Sequence, residues 1–315
     1  MGTELRSIAR TSRSLSAIGA TYKSREVEGI VDLFFYRRIG FRLAQFFARV
    51  NFTPAAVTLV GGVVGIVAGH LYFYRALVVN LLGMLFQVVA NIFDNADGQL
   101  ARLTNQQSRI GRILDPIVDH IIWFSIYLHL ALRLQFEGFP RAIWALGVAA
   151  GLSHAAQAAA ADYWRSAYLY LGKGGPELDS ASNLNREYRR YTWRANAWPK
   201  FLLGLYLNVT REQELLLPGV RQLDERIDDN FAGQIPAWFQ SRYGDLVLPT
   251  LKWWGLLMTN TRMLVLFVVF LFRQPVWYFW FEITAANFLL IYLVRKQEKI
   301  SRSLLGLLTT QKQSA

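Results

Sequence analysis

Residues 77–134 read LVVNLLGMLFQVVANIFDNADGQLARLTNQQSRIGRILDPIVDHIIWFSIYLHLALRL. Two apolar runs flank a short polar turn, and acids stand on both sides of it. Asp94 and Asp97 close the first run; Asp115 and Asp119 open the second. Each run is long enough to cross a bilayer as a helix, which takes about 20 mostly apolar residues. A turn this short makes the two helices antiparallel neighbours. A step of three residues rotates by about 300° and a step of four by about 400°, so each acid pair shares one helical face. Both pairs then converge at one depth, near one edge of the membrane.

Working outward, four further runs have spanning length. They are Ala55–Tyr74, rich in Gly61, Gly62, Gly65 and Gly69; Ala142–Tyr163, rich in Ala; Leu246–Phe272; and Val276–Val294. With Leu77–Gly98 and Gly111–Leu134 they predict an all-α integral membrane protein of six spans. Small residues in the first and fourth spans would let helix backbones approach closely. The composition agrees: of 315 residues, 53% are hydrophobic and only 18% charged, against about a quarter in soluble domains. A purely soluble or disordered chain is excluded. With no cysteine, disulfide frameworks, thiolate zinc sites and cysteine nucleophiles are excluded too. The N-terminus is polar and basic, so no cleaved signal peptide is expected.

The net charge of +12 suits nucleic acid or an anionic membrane surface. Its distribution favours the membrane. Of the 34 Lys and Arg, 29 fall in the N-terminal segment, the turn after the second span, the stretch 165–252 and the C-terminal tail. Both termini, the long connection and the acid cluster are therefore expected on the cytoplasmic side. Ahead of the spans, residues 27–50 place Ile30, Leu33, Phe34, Phe41 and Phe47 at helical spacing among Arg37, Arg38, Arg42 and Arg49. This predicts an amphipathic juxtamembrane helix on the inner leaflet, or a cytosolic helix packed on the domain. The expected organisation is a basic tail (1–26), the juxtamembrane helix (27–50), four spans (51–164), a cytoplasmic connection (165–245), two spans (246–295) and a tail (296–315). The run Arg186, Arg189, Arg190, Arg194, interleaved with Tyr and Trp, fits anionic headgroups better than nucleic acid.

Ionisable groups within spans are costly and mark function. Four clustered carboxylates repel unless cations offset them, and all-oxygen ligation suits a hard ion such as Mg²⁺ or Mn²⁺. Solvated capping acids are the bland alternative; they explain neither the spacing nor the small residues alongside. Gly98, Ala101 and Gly111 leave room for a ligand, and the fork of Arg102 can bind two phosphate oxygens. Together these describe a site for a phosphate ester, most simply a diphosphate.

The pattern Asp94-x2-Asp97-Gly98-x2-Ala101-Arg102-x8-Gly111-x3-Asp115-x3-Asp119 resembles, in all eight fixed residues, the signature of the CDP-alcohol phosphotransferase (CDP-alcohol phosphatidyltransferase) family. The resemblance covers about residues 27–295, with no counterpart for the long connection. It implies six spans, a juxtamembrane helix and a homodimer. It also implies transfer of a substituted phosphate from a CDP-linked donor to an alcohol, with release of CMP, in phospholipid biosynthesis. By that resemblance Asp94, Asp97 and Asp115 ligate the metal. Asp119 is the general base and also a ligand to a second metal. Gly98, Ala101, Arg102 and Gly111 line the CDP pocket. Where many members carry Pro-Asn before a Thr, this chain reads Pro54-Ala55-Ala56-Val57-Thr58, so the contact of that amide is missing.

Other polar groups inside spans are candidates for the acceptor or a lipid: Arg262, His154 and Gln157, with Asp162, Asn260, Glu282 and Asn287 nearby in sequence. A structural pair of Arg262 with Glu282 or Asp162 is the equal alternative, and hydrogen bonding between helices explains His154 and Gln157 as well as substrate does. His70, His120 and His129 show no shared metal-ligand spacing. A membrane prenyltransferase would carry its acid motifs far apart, whereas these four acids lie within 26 residues. A transporter would show inverted repeats and broken helices. CDP-diacylglycerol is the favoured donor; a CDP-choline or CDP-ethanolamine type acting on a lipid alcohol is the alternative.

Overall fold

The computed structural model describes residues 26–29 and 31–314. The expected basic tail lies almost wholly outside the described residues. All regular structure among the described residues is helical, in two compact units, residues up to His129 and residues from Leu130 onward.

In the first unit a π-helical turn, Asp32–Tyr36, leads into α1 (Arg37–Arg49), followed by α2 (Pro54–Leu71), α3 (Leu77–Leu103) and α4 (Arg109–Phe136), which continues past the unit boundary. Thr53 caps α2, its hydroxyl accepting the Ala56 N–H at 3.3 Å, and Pro54 fills the first helical position, where no N–H is needed. The glycines of α2 do what their spacing suggests. A Cβ on Gly62 would sit 2.7 Å from Val118 Cγ1, and one on Gly65 would sit 2.6 Å from Ile122 Cδ1. One on Gly61 would lie 2.8 Å from Phe93. The glycine stripe thus lets α2 lie against both acid-bearing helices. At the other end of α2 and α4, His70 Nδ1 and His129 Nε2 are 3.2 Å apart, a contact between helices that linear spacing does not reveal.

The turn joining α3 to α4 is fixed at both ends. Asn105 takes a left-handed conformation (φ 54°) and the Gln106 N–H returns to Ala101 O at 2.9 Å, which stops α3 in a Schellman arrangement. Ser108 then caps α4, its hydroxyl accepting the Gly111 N–H at 3.0 Å. The helix α1 is amphipathic. Gly40, Phe41 and Ala44 are buried, and a Cβ on Gly40 would meet Asn95 and Ala96 of α3 at 3.2 Å. Phe34, Phe35 and Phe46 remain exposed.

The second unit holds α5 (Ile143–Lys173), α6 (Ala181–Arg190), α7 (Ala197–Leu216), α8 (Pro218–Phe231), α9 (Ala237–Val247), a 3-10 turn (Leu248–Thr250), α10 (Leu251–Gly255), α11 (Thr259–Leu271), α12 (Val276–Phe281), a π-helical segment (Glu282–Ala286) and α13 (Asn287–Ser314). Gly174, at φ +65°, ends α5 where a side chain would be strained. Trp164 and Trp254 stack at 5.3 Å, and the Trp164 indole donates to Gln297 at 3.1 Å. The start of α8 presses on α13 through Gly219, whose N–H donates to Glu298 Oε1 at 2.9 Å.

Five stretches among the described residues are long and apolar enough to cross a membrane: Pro54–Leu71, Leu77–Leu103, Arg109–Phe136, Ala237–Leu271 and Val276–Thr309. The expected fourth span is helical within α5, but Ala, Gly, His154 and Gln157 dilute its hydropathy below the others. The expected span Leu246–Phe272 is not continuous. Pro249 lies in the 3-10 turn, and residues 256–258 are non-helical between α10 and α11. A broken helix is thus present, contrary to the sequence reading. The stretch expected as a C-terminal tail is helical, since α13 runs through it to Ser314, with Leu304 and Leu308 buried.

Candidate active site

The first unit assembles the acids. Asp94 and Asp97 lie one helical turn apart on α3, and Asp115 and Asp119 one turn apart on α4. The tight turn between the helices brings the pairs face to face. Carboxylate oxygens of Asp94, Asp97 and Asp115 all lie within 4.8 Å of one another. Asp119 lines the same cavity, with Gly61 and Gly62 of α2 forming the opposite wall. The cavity measures about 20 Å³, room for about one ion or water but not for a nucleotide. A CDP group would have to lie across its mouth. Three mutually close carboxylates, Asp97 7% exposed, form an oxygen-only donor set that suits a hard divalent cation.

Thr58, one turn into α2, donates its hydroxyl to Asp97 Oδ2 at 2.5 Å, with Pro54 O at 3.1 Å as the other acceptor within reach. This contact fixes one oxygen of Asp97, a residue that lines the cavity. Sequence reasoning noticed Thr58 only as part of an N-terminal pattern. The available signal was a hydroxyl on the same face as the glycine stripe.

Around Arg102 the geometry is also particular. Its guanidinium folds back over Gly98, where a Cβ would stand 3.4 Å from Nη2. Its Nε is buried without a hydrogen-bond partner, and so is Oε1 of Gln99, a residue fully shielded from solvent. The Gln99 amide donates to Arg37 O at 3.1 Å, tying α3 to α1. Arg37 is in turn clamped by Glu28 through two bonds of 3.0 and 2.7 Å. Sequence reasoning read Arg37 only as a basic residue of the juxtamembrane helix and missed Glu28 and Gln99, the Gln99–Arg37 link joining positions 62 residues apart. Gly111 sits in the first turn of α4, where a Cβ would press on the capping Ser108 hydroxyl at 3.2 Å, and Ala101 supplies the carbonyl that stops α3.

The second unit gathers Arg262, Glu282, Gln157 and Asn287 into one largely buried network. Arg262 donates to Glu282 Oε1 at 3.2 Å, to Gln157 Oε1 at 2.7 Å and to Leu257 O. Leu257 lies in the break between α10 and α11, so the guanidinium satisfies a carbonyl that the interrupted helix exposes. The Gln157 amide donates to Glu282 O and to Asn287 Oδ1, both at 2.9 Å, while His154 Nδ1 stands 4.0 Å from Glu282 Oε1. Asp162 instead takes Arg165 at 3.1 Å and Gln213 at 3.3 Å. Of the two pairings considered for Arg262, the structure makes the one with Glu282.

Comparison with known proteins meets the geometry at the same place. Residues 51–172 match the model of the family described as CDP-alcohol phosphatidyltransferase, a narrower stretch than 27–295. A provisionally named cardiolipin synthase of Mycobacterium tuberculosis (strain ATCC 25618 / H37Rv) is 43% identical over 44 residues, 14% of this chain and 21% of that protein. The archaetidylinositol phosphate synthase of Pyrococcus horikoshii is 30% identical over 91 residues, 29% of this chain and 47% of that protein. The chain thus spans less than half the length of the curated relatives it matches. The matched segment runs from the start of α2 to the end of α5 and contains all four aspartates, the glycine stripe and Arg102. Residues 51–172 are therefore a domain of the CDP-alcohol phosphatidyltransferase family, in an integral membrane protein.

Proposed function

We propose that this protein transfers a phosphatidyl group from CDP-diacylglycerol to an alcohol, releasing CMP, in phospholipid synthesis. The observation that carries the reading is the convergence of Asp94, Asp97 and Asp115 within 4.8 Å, with Asp119 on the same cavity, inside the family-matched segment. That the matched relatives are named cardiolipin synthase and archaetidylinositol phosphate synthase supports transfer in lipid synthesis. Asp94, Asp97 and Asp115 would hold one Mg²⁺ or Mn²⁺, with Asp119 a further ligand. When bound, such an ion neutralises the donor diphosphate and stabilises the charge that develops on CMP.

The residues of the chain do the rest. Thr58 holds Asp97 in one orientation, and the glycine wall of α2 keeps the approach narrow. Gly98, Ala101 and Gly111 would take the cytidine along the α3–α4 turn, with the Arg102 guanidinium moving off Gly98. Arg102, with a buried and unpartnered Nε, is available to a phosphate oxygen. Asp119 accepts the proton of the attacking hydroxyl as the new P–O bond forms, because an alcohol is a weak nucleophile at neutral pH. The site faces the cytoplasmic edge of a six-span domain entered by α1, in a homodimer. The bond of Arg262 to Gln157, and the shared approach of Arg262 and His154 to Glu282, support a structural role; an acceptor or lipid contact there would require that network to open.

The test is CMP release by the purified full-length protein in detergent with Mg²⁺, offered CDP-diacylglycerol, CDP-choline or CDP-ethanolamine with pooled acceptors, and Asp119→Asn as the blank. CMP from CDP-diacylglycerol alone supports the reading. CMP from the head-group donors alone overturns the direction of transfer.

A further inference from the structure

The connection 174–236 lies beyond the family-matched segment, and its helices α6 and α7 form a surface unlike an ordinary cytosolic one. Trp193, Trp198 and Phe201 are 56%, 64% and 45% exposed, and the last two stack at 5.9 Å. All three fall in the loop between the helices or in the first turns of α7. Five basic residues against one acid occupy the stretch from Arg186 to Lys200. Arg186, Arg189, Arg190 and Arg194 are all exposed. Behind them runs a groove of about 290 Å³ between α6 and α7, with Lys200 and Arg211 among its lining residues. Gly204 keeps it open, since a Cβ there would already press on the Tyr188 ring at 3.2 Å. The Lys200 ammonium stands 4.7 Å from the Tyr188 ring centroid and 5.6 Å from that of Trp193, and donates to Tyr191 O at 2.7 Å. The aromatic wall and one cation are therefore already in place before any ligand arrives.

We propose that this α6–α7 face binds the anionic phospholipid headgroups of the bilayer in which the protein resides. Exposed Trp beside Phe is costly in water and favourable at the level of lipid headgroups, where an indole is half solvated. The surrounding arginines complement negative phosphates and have little to offer a zwitterionic surface. The apolar stretch Ala237–Leu271, which directly follows the connection, holds it to the membrane. Contact is thus an intramolecular event at high effective lipid concentration, and modest affinity suffices. The groove would take a phosphate between its cationic lining and the aromatic wall, with Trp198 and Phe201 entering the interface.

Because the chain has no cysteine, Trp198→Cys supplies a single thiol for an environment-sensitive fluorophore. The labelled full-length protein is placed in nanodiscs of phosphatidylcholine, with or without phosphatidylglycerol. The expected result is a blue shift and a severalfold fall in iodide quenching with phosphatidylglycerol only, reversed by high salt. Removing basic residues through R186Q/R189Q/R190Q/R194Q should weaken the response, by roughly fivefold in the bound-to-free ratio per charge. A label at Glu225→Cys on α8 should not respond. Equal accessibility in both lipids overturns the proposal. So does shielding that is equal in both and insensitive to salt. Protection by soluble glycerol phosphate in phosphatidylcholine discs, or protection that depends on a second protein copy per disc, overturns it equally.

Discussion

Thr58→Val removes one hydroxyl at nearly constant volume, and its consequence can be worked from the structure. Thr58 is 7% exposed and donates to Asp97 Oδ2 at 2.5 Å. A hydrogen bond to a charged group contributes about 1.5–3 kcal/mol. If that energy goes into orienting a metal ligand, a factor of ten for each 1.4 kcal/mol gives roughly 10–150-fold weaker cation affinity. Loss of a partner that orients a ligand typically costs about 10–100-fold, in the same range. The assay is Mn²⁺ binding by electron paramagnetic resonance on purified protein, with the metal dependence of CMP release alongside. The variant should need correspondingly more metal for half-saturation and recover much of its rate when saturated. Thr58→Ser should behave as the parent. Unchanged Mn²⁺ affinity in Thr58→Val would refute the idea that this contact positions Asp97.

Asp119→Asn should keep Mn²⁺ binding through the other three carboxylates and lose turnover, which single-turnover CMP release would reveal. Gly65→Ala places a methyl 2.6–2.9 Å from Ile122, so it should lower thermal stability by about 1–3 kcal/mol; adding Ile122→Ala should recover most of it. Arg262→Met leaves the buried Glu282 without its cation and should cost about 3–5 kcal/mol in unfolding assays, while Arg262→Met with Glu282→Leu should cost clearly less. Asp224 on α8 is pushed up to about 6 by burial and by its acidic neighbours Asp228, Glu177, Glu225 and Glu214. A carboxyl raised above its unfolded value costs stability above its folded pKa and recovers it as pH falls. Asp224→Asn should therefore raise the Tm at pH 7, and the gain should shrink between about pH 6 and pH 4.

The local parts of this fold were legible because short-range physics sets them. A three-residue spacing before a tight turn and a four-residue spacing after it put Asp94, Asp97, Asp115 and Asp119 on facing surfaces. The glycine stripe marked the helix that closes on them. The long-range links were hidden. Thr58 meets Asp97 across 39 residues and Gln99 meets Arg37 across 62, and neither pairing has a periodic signature. Hydropathy counts read Leu246–Phe272 as one span because apolar content is blind to Pro249 and to the non-helical residues 256–258. The same counting could not choose a partner for Arg262, since Asp162 and Glu282 are equally acidic on paper. In the structure Arg262 takes Glu282 together with Leu257 O at the helix break.

The most direct test follows the phosphorus atom. CDP-diacylglycerol radiolabelled in the phosphate next to the diacylglycerol is incubated with the full-length protein, Mg²⁺ and pooled polar alcohols. Label is expected in a new phospholipid, with unlabelled CMP released, and neither should form with Asp119→Asn. Label retained in the nucleotide product, or a labelled lipid formed equally by Asp119→Asn, would contradict the proposed transfer.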